Sequence, residues 1–154
     1  MSSATTQSTV IMPETALLNG KVLKRSLPTL QLPLGPDAPA LKRLLLPQGE
    51  LAQFYDADEG IRYLAFIELL AGQVRGNHYH KVKEELVYVM RGEVLLSVAD
   101  VDSQARASVT LRTGDLAVIR TRIAHAYRTV DAGQAIEFSV ARFDPADIHR
   151  FPLA

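Results

Sequence analysis

Residues 72–92 read GQVRGNHYHKVKEELVYVMRG, and the interpretation of this stretch decides the fold. It sets His78 and His80 one residue apart, with Glu84 and Glu85 close behind. Alternate side chains of a β-strand share a face, so an extended stretch here points His78 and His80 the same way. Lys81-Val82-Lys83 is short and polar enough to turn the chain back. Residues 86–90 then form a second strand, with Arg91-Gly92-Glu93 as its hairpin. Strand parity alone does not choose between Glu84 and Glu85, because either face of a strand can be the inner one. Two imidazoles and one carboxylate converging in this way suit a divalent metal.

The stretch resembles the first motif of the cupin superfamily, G(X)5HXH(X)3-4E(X)6G. Gly72, His78, His80, Glu85 and Gly92 meet every fixed position. The resemblance selects Glu85, since only Glu85 leaves six residues before Gly92. The second cupin motif, G(X)5PXG(X)2H(X)3N, has a weaker counterpart between Gly114 and Thr129. Gly114 and His125 match, while Arg120, Arg122 and Thr129 stand where proline, glycine and asparagine are usual. The resemblance implies an all-β chain folded as a small double-stranded β-helix, the jelly-roll cupin barrel. It also implies a divalent metal in the barrel mouth, held by His78, His80, Glu85 and His125. Zinc, iron, manganese, nickel and cobalt all accept three imidazole nitrogens and one carboxylate oxygen.

Within the motif, RGNHYH (residues 75–80) is similar to cupins that act on nucleotide-linked keto sugars, and FDPAD (143–147) resembles the end of one such capsular-polysaccharide cupin. That resemblance implies epimerisation or isomerisation of a small carbonyl substrate by proton transfer. Such chemistry needs a base and an oxyanion stabiliser. In metal-free members of the group a histidine of the pair is the base, which gives His78 or His80 a catalytic alternative to ligation, with His78 the one taken here as catalytic. Tyr79 and Tyr127 are candidate proton donors. Arg75, Arg120 and Arg122 are candidate contacts for an anionic substrate, guanidinium being a planar donor for phosphate or carboxylate; the alternative for these arginines is a solvated rim. Strand parity sets Arg75 opposite to His78 unless Gly76 allows a bulge. A cupin dioxygenase and a non-catalytic ligand-binding cupin remain the competing readings.

The remaining composition sets bounds. A chain of 154 residues, 47% of them hydrophobic, suits one domain with a modest core. Residues 1–16, rich in Ser and Thr, read as a flexible arm, and residues 17–154 as a single cupin domain. The formal net charge is zero, which argues against nucleic acid or an acidic membrane surface as a partner. Cysteine is absent, so disulfides and thiolate ligands are excluded. No apolar run is long enough to span a membrane and the N-terminus lacks a secretory pattern, so a cytoplasmic protein is expected.

Strands are expected at residues 51–55, 93–99, 106–111, 116–119 and 135–143, with a turn at Thr113-Gly114-Asp115 and one helical turn in residues 145–149. Residues 61–70 read as a strand mostly buried on both faces. Pro28 and Pro33 exclude a long helix in residues 17–34. The apolar runs of residues 17–46 have few evident partners within one chain, so a homodimer joined through this segment is expected.

Overall fold

The computed structural model describes residues 12–154. In chain order the strands are β1 (Glu14–Leu17), β2 (Val22–Ser26), β3 (Thr29–Leu30), β4 (Lys42–Leu46), β5 (Gly49–Gln53), β6 (Tyr63–Leu69), β7 (Val74–Tyr79), β8 (Glu85–Asp100), β9 (Arg106–Arg112), β10 (Asp115–Ile119), β11 (Ile123–Ser139) and β12 (His149–Arg150), with a 3-10 turn at Pro145–Asp147. Nine of them form one sheet along the path β1-β2-β10-β8-β11-β7-β12, with β6 branching from β11 and β9 from β8. A separate small sheet holds β3, β4 and β5.

The long strands β8 and β11 pair antiparallel and organise the rest. Each changes partner midway. On the edge away from β11, β8 bonds β10 through residues 85–88 and β9 through residues 93–99. On the edge away from β8, β11 bonds β7 through residues 125–128 and β6 through residues 133–139. The handover falls where the β8–β11 register slips, between Thr129 and Ala135. Gly133 crosses β8 so closely there that a Cβ would lie 1.8 Å from the Arg91 carbonyl oxygen. The buried set of β8 switches from odd to even numbers across this point, from Val87 and Val89 to Val94, Leu96 and Val98. One extra residue in a strand has that effect.

Three expectations are corrected. The closed jelly-roll barrel is not formed: the chain is mostly β, but the hydrogen-bonded path ends open at β1 and at β12, and no sheet closes on itself. The long strands branch to new partners at the bend instead of closing a ring. The chain also does not reverse at residues 91–93; β8 passes straight through, with Gly92 at φ 108° absorbing the bend. Finally, β6 is not buried on both faces, because Leu64 and Phe66 face solvent. The first part of β11, from Ile123 to Tyr127, lacks a two-residue alternation because all five residues are buried.

The N-terminal segment finds partners inside the chain. β1 pairs with β2, and β2 lies against β10, whose five residues are all buried. Of the arm expected over residues 1–16, residues 14–16 belong to β1, and residues 1–11 lie outside the described residues.

Two apolar clusters flank the main sheet. One gathers Val22, Ile67, Val89, Leu96, Leu111 and Ile123 from both halves of the bent strands. The other joins Leu27, Tyr88, Leu116 and Phe138 beneath β5 and the aromatic pair Phe54 and Tyr55. Each fully buried aliphatic side chain contributes about 1.5–3 kcal/mol. No helix among the described residues is long and apolar enough to cross a membrane.

Candidate metal centre

The four side chains come from three neighbouring strands and one turn. His78 lies on β7, Glu85 opens β8, His125 lies on β11 directly opposite His78, and His80 follows β7. One ligand atom from each lies within 4.8 Å of all the others. The imidazole centroids are 4.9 Å apart for His78–His80, 4.9 Å for His78–His125 and 5.6 Å for His80–His125. His80, Glu85 and His125 are buried and His78 is partly open.

Backbone carbonyls orient two of the rings. His80 Nδ1 donates to the Asp147 carbonyl oxygen at 2.7 Å, and His125 Nδ1 donates to that of Ile123 at 3.0 Å. A carbonyl can only accept, so each Nδ1 carries a proton and each neutral ring turns a bare Nε2 inward. Both Nε2 atoms are fully buried and have no hydrogen-bond partner. Orphaned buried nitrogens are costly. They face Glu85, at 3.6 Å from His80 and 3.1 Å from His125. A dication at the common point satisfies both nitrogens and the carboxylate together, so the residues fit a metal. The cluster can coordinate a divalent ion, and the carbonyls act as the outer partners that usually fix metal-ligating histidines.

Electrostatics follow the same geometry. Burial opposes ionisation of Glu85, but the adjoining His125 and His80 imidazoles outweigh it and hold the carboxyl well below its usual range. Burial pulls His125 down, yet Glu85 wins and raises it. Burial, reinforced by His125, pushes His78 down to about 4, leaving it neutral at pH 7. Burial and then Glu85 drive the Tyr127 phenol far up, so it remains a donor.

Glu84 and Glu85 separate as the motif requires. Glu84 turns outward to Arg120 at 2.9 Å, while Glu85 accepts the Tyr127 hydroxyl at 2.7 Å. The bulge at Gly76 is present. His125 pairs with His78 and Ala126 with Gly76, so Asn77 is the extra residue, at φ 57°. It brings Arg75 opposite Tyr127 and onto the wall of a cavity of about 130 Å³ beside the cluster, shared with His78, Glu85, Tyr127 and Glu137.

The other expected site residues lie elsewhere. Tyr79 stacks on His149, with Phe151 against its edge. Arg120 is paired with Glu84, and Arg122 with Asp102 at 2.7 Å. Arg122 adopts φ 61°, the left-handed conformation, at the position where the family motif carries glycine. Its backbone N–H holds the His80 carbonyl at 2.7 Å, so the residue supports the site through its main chain.

Two site residues escape sequence reasoning. Buried Lys83 binds Glu137 at 2.8 Å, approaches Glu85 at 3.7 Å and lies 4.3 Å above the Tyr63 ring. Burial, then Glu85, raises Glu137 to about 7. The available signal was a carboxylate between Ile136 and Phe138 in an otherwise apolar strand.

Comparison with known proteins agrees with this geometry. The Cupin domain family model matches residues 65–141, half of the chain. No curated protein sequence matches. Among solved structures, the RmlC epimerase of Mycobacterium tuberculosis is similar at TM-score 0.70 and 14% identity, covering 90% of this chain and 72% of that one. NovW, a 4-keto-6-deoxy sugar epimerase of Streptomyces spheroides, is similar at TM-score 0.69 and 17% identity, covering 96% and 77%. The TDP-quinovose 3,4-ketoisomerase of Campylobacter jejuni is similar at TM-score 0.63 and 16% identity, covering 72% and 88%. These likenesses establish a shared fold. With the family model spanning both the HXH pair and His125, the chain belongs to the cupin domain family.

Proposed function

We propose that the protein is a metal-dependent enzyme that moves a proton next to the carbonyl of a small anionic substrate, as in epimerisation or isomerisation of a nucleotide-linked keto sugar. The observation that carries this reading is the cavity wall, which sets Arg75, His78, Tyr127 and Glu137 together against the ligand cluster. The similar folds of the RmlC epimerase, a 4-keto-6-deoxy sugar epimerase and a TDP-quinovose 3,4-ketoisomerase support it. A bound divalent ion would supply Lewis acidity, polarising a carbonyl oxygen.

The chain's own groups divide the remaining work. With His78 serving as a ligand, proton traffic falls to cavity groups outside the ligand set, Tyr127 as donor and Glu137 as acceptor. Without a metal, the unligated His78 imidazole is a second proton acceptor on the same cavity wall. Arg75, braced by its hydrogen bond to the Glu68 carbonyl at 3.1 Å, meets an anionic part of the substrate. The cavity is smaller than the ~300–1,000 Å³ typical of pockets enclosing a whole ligand. Only the reacting part of the substrate enters, and the nucleotide lies outside. The working unit in this reading is a cytoplasmic homodimer.

The test is solvent exchange. Metal-loaded protein is incubated with nucleotide-linked keto sugars in deuterium oxide, and mass spectrometry reads label next to the ketone. Label supports the reading. A panel without label, combined with oxygen uptake on another substrate, replaces it with a dioxygenase.

A further inference from the structure

Among the described residues, β6 bonds β11 on one side and has no strand on the other. Its outward face reads Arg62, Leu64, Phe66, Glu68, all exposed, with Leu64 66% and Phe66 63% accessible. An edge strand with two large apolar residues on display invites another strand. Nothing among the described residues pairs with the charges of Arg62 or Glu68.

The free backbone groups can be assigned. Ser139, the partner of Tyr63, turns its carbonyl to β6, where it accepts the Arg62 N–H, and the Glu68 carbonyl accepts from the Arg75 side chain, so the odd residues of β6 bond β11 and Glu68 faces the open edge. Backbone groups alternate along an antiparallel strand. Those of Leu64 and Phe66 therefore also face the open edge, while Tyr63, Ala65 and Ile67 are bonded toward β11.

We infer that a second copy of this chain docks here, β6 against β6, antiparallel about a two-fold axis at Ala65. In that register each Leu64 lies opposite a Phe66, and each Arg62 opposite a Glu68. Both Leu64–Phe66 pairs use outward backbone groups, and small Ala65 sits on the axis. Shifting the register two residues one way sets Leu64 against Glu68. Shifting it two the other way sets Arg62 against Phe66. Odd shifts misalign the backbone bonds. The strand is thus complementary to its own reverse in apolar contact, charge and hydrogen bonding. Such an isologous contact closes after two copies instead of growing into a fibre.

This inference rests on the homodimer reading above and moves its surface from residues 17–46, which pair within the chain, to β6. The experiment is sedimentation velocity over about 1–100 µM, a range suited to micromolar association, with circular dichroism confirming the fold. Arg62→Glu and Glu68→Arg should each raise the dimer Kd at least about tenfold, because like charges then face each other twice. The double reversal should restore it to within about threefold. Phe66→Glu should give monomer. The chain has no cysteine, so Ala65→Cys carries a single thiol. Two on-axis residues of a non-bonded pair lie ~4.5 Å apart, within disulfide reach, and mild oxidation should give a covalent dimer. Monomer mass throughout would overturn both this surface and the homodimer reading. A dimer indifferent to charge reversal and not cross-linked through Ala65→Cys would overturn the surface alone, and its loss on deleting residues 1–11 would move the contact to the N-terminus.

Discussion

Tyr127 donates its phenolic proton to Oε2 of Glu85 across 2.7 Å, from the strand that also carries His125. It steadies the one carboxylate of the cluster while its ring stays packed. Tyr127→Phe keeps the packing and removes the donor. Metal affinity should fall about 10–100-fold with the fold unchanged, as for other outer-sphere partners of ligands. Competition with a chromophoric chelator measures it, and an affinity equal to wild type would detach Tyr127 from the centre.

The ligand set makes a sharper contrast. His80→Ala and Glu85→Gln should each lose most of the metal found in protein purified without added ions. Glu84→Gln should lose almost none, since Glu84 faces Arg120. Elemental analysis decides this, and a reversed order for the two glutamates would mean that the wrong carboxylate has been chosen.

Substrate contact should follow the cavity and not the arginine count. Arg75→Ala should raise KM about tenfold, roughly 1.4 kcal/mol of binding, with a smaller effect on kcat. Arg120→Ala combined with Arg122→Ala should move KM less than threefold, the ordinary reach of exposed ion pairs, because both side chains already pair with surface carboxylates. Steady-state kinetics on the labelled substrate separates the two outcomes.

Gly76 is the most sensitive glycine near the site. At φ 98° a Cβ would lie 2.6 Å from the His125 carbonyl oxygen. Gly76→Ala should destabilise by about 2–4 kcal/mol, strain and overpacking together. Chemical denaturation gives the number. A cost under 0.5 kcal/mol, within the ordinary range of surface substitutions, would show that β7 and β11 can part freely.

Asp100 supplies a pH signature away from the metal. A hydrogen bond from Lys21 lowers it to about 2, against burial and with help from the N–H groups of Asp102 and Ser103. Its folded value lies below its unfolded one. Its contribution is therefore complete above about pH 4 and is lost as pH falls toward 2. Asp100→Asn should cost about 1–2 kcal/mol at pH 7, half-exposed Lys21 limiting the effect. The gap to wild type should close by pH 2. Thermal melts across that interval test the sign.

The site was legible from sequence because spacing carries it. His78, His80, Glu85 and His125 fall on motif positions, whereas Gly76 only left room for a bulge, and the structure sets Arg75 opposite Tyr127. The fold was less legible where one strand serves two partners. Gly92 looks like a turn, yet its φ bends β8 without reversing it, because β11 bends alongside. Lys83 reads as a turn residue, and only the fold brings it over Tyr63 and onto Glu137. Arg120 and Arg122 suggested an anion site because their partners, Glu84 and Asp102, are distant in sequence.

His80 takes its ring orientation from a carbonyl 67 residues downstream, at Asp147. The same residue's carboxylate accepts the N–H groups of Lys81, Val82 and Lys83, clasping the turn that follows His80. The ligand that comes second in sequence is thus oriented by a residue that follows the fourth. Undocking the 3-10 turn would free the His80 ring while His78, Glu85 and His125 kept their places on β7, β8 and β11.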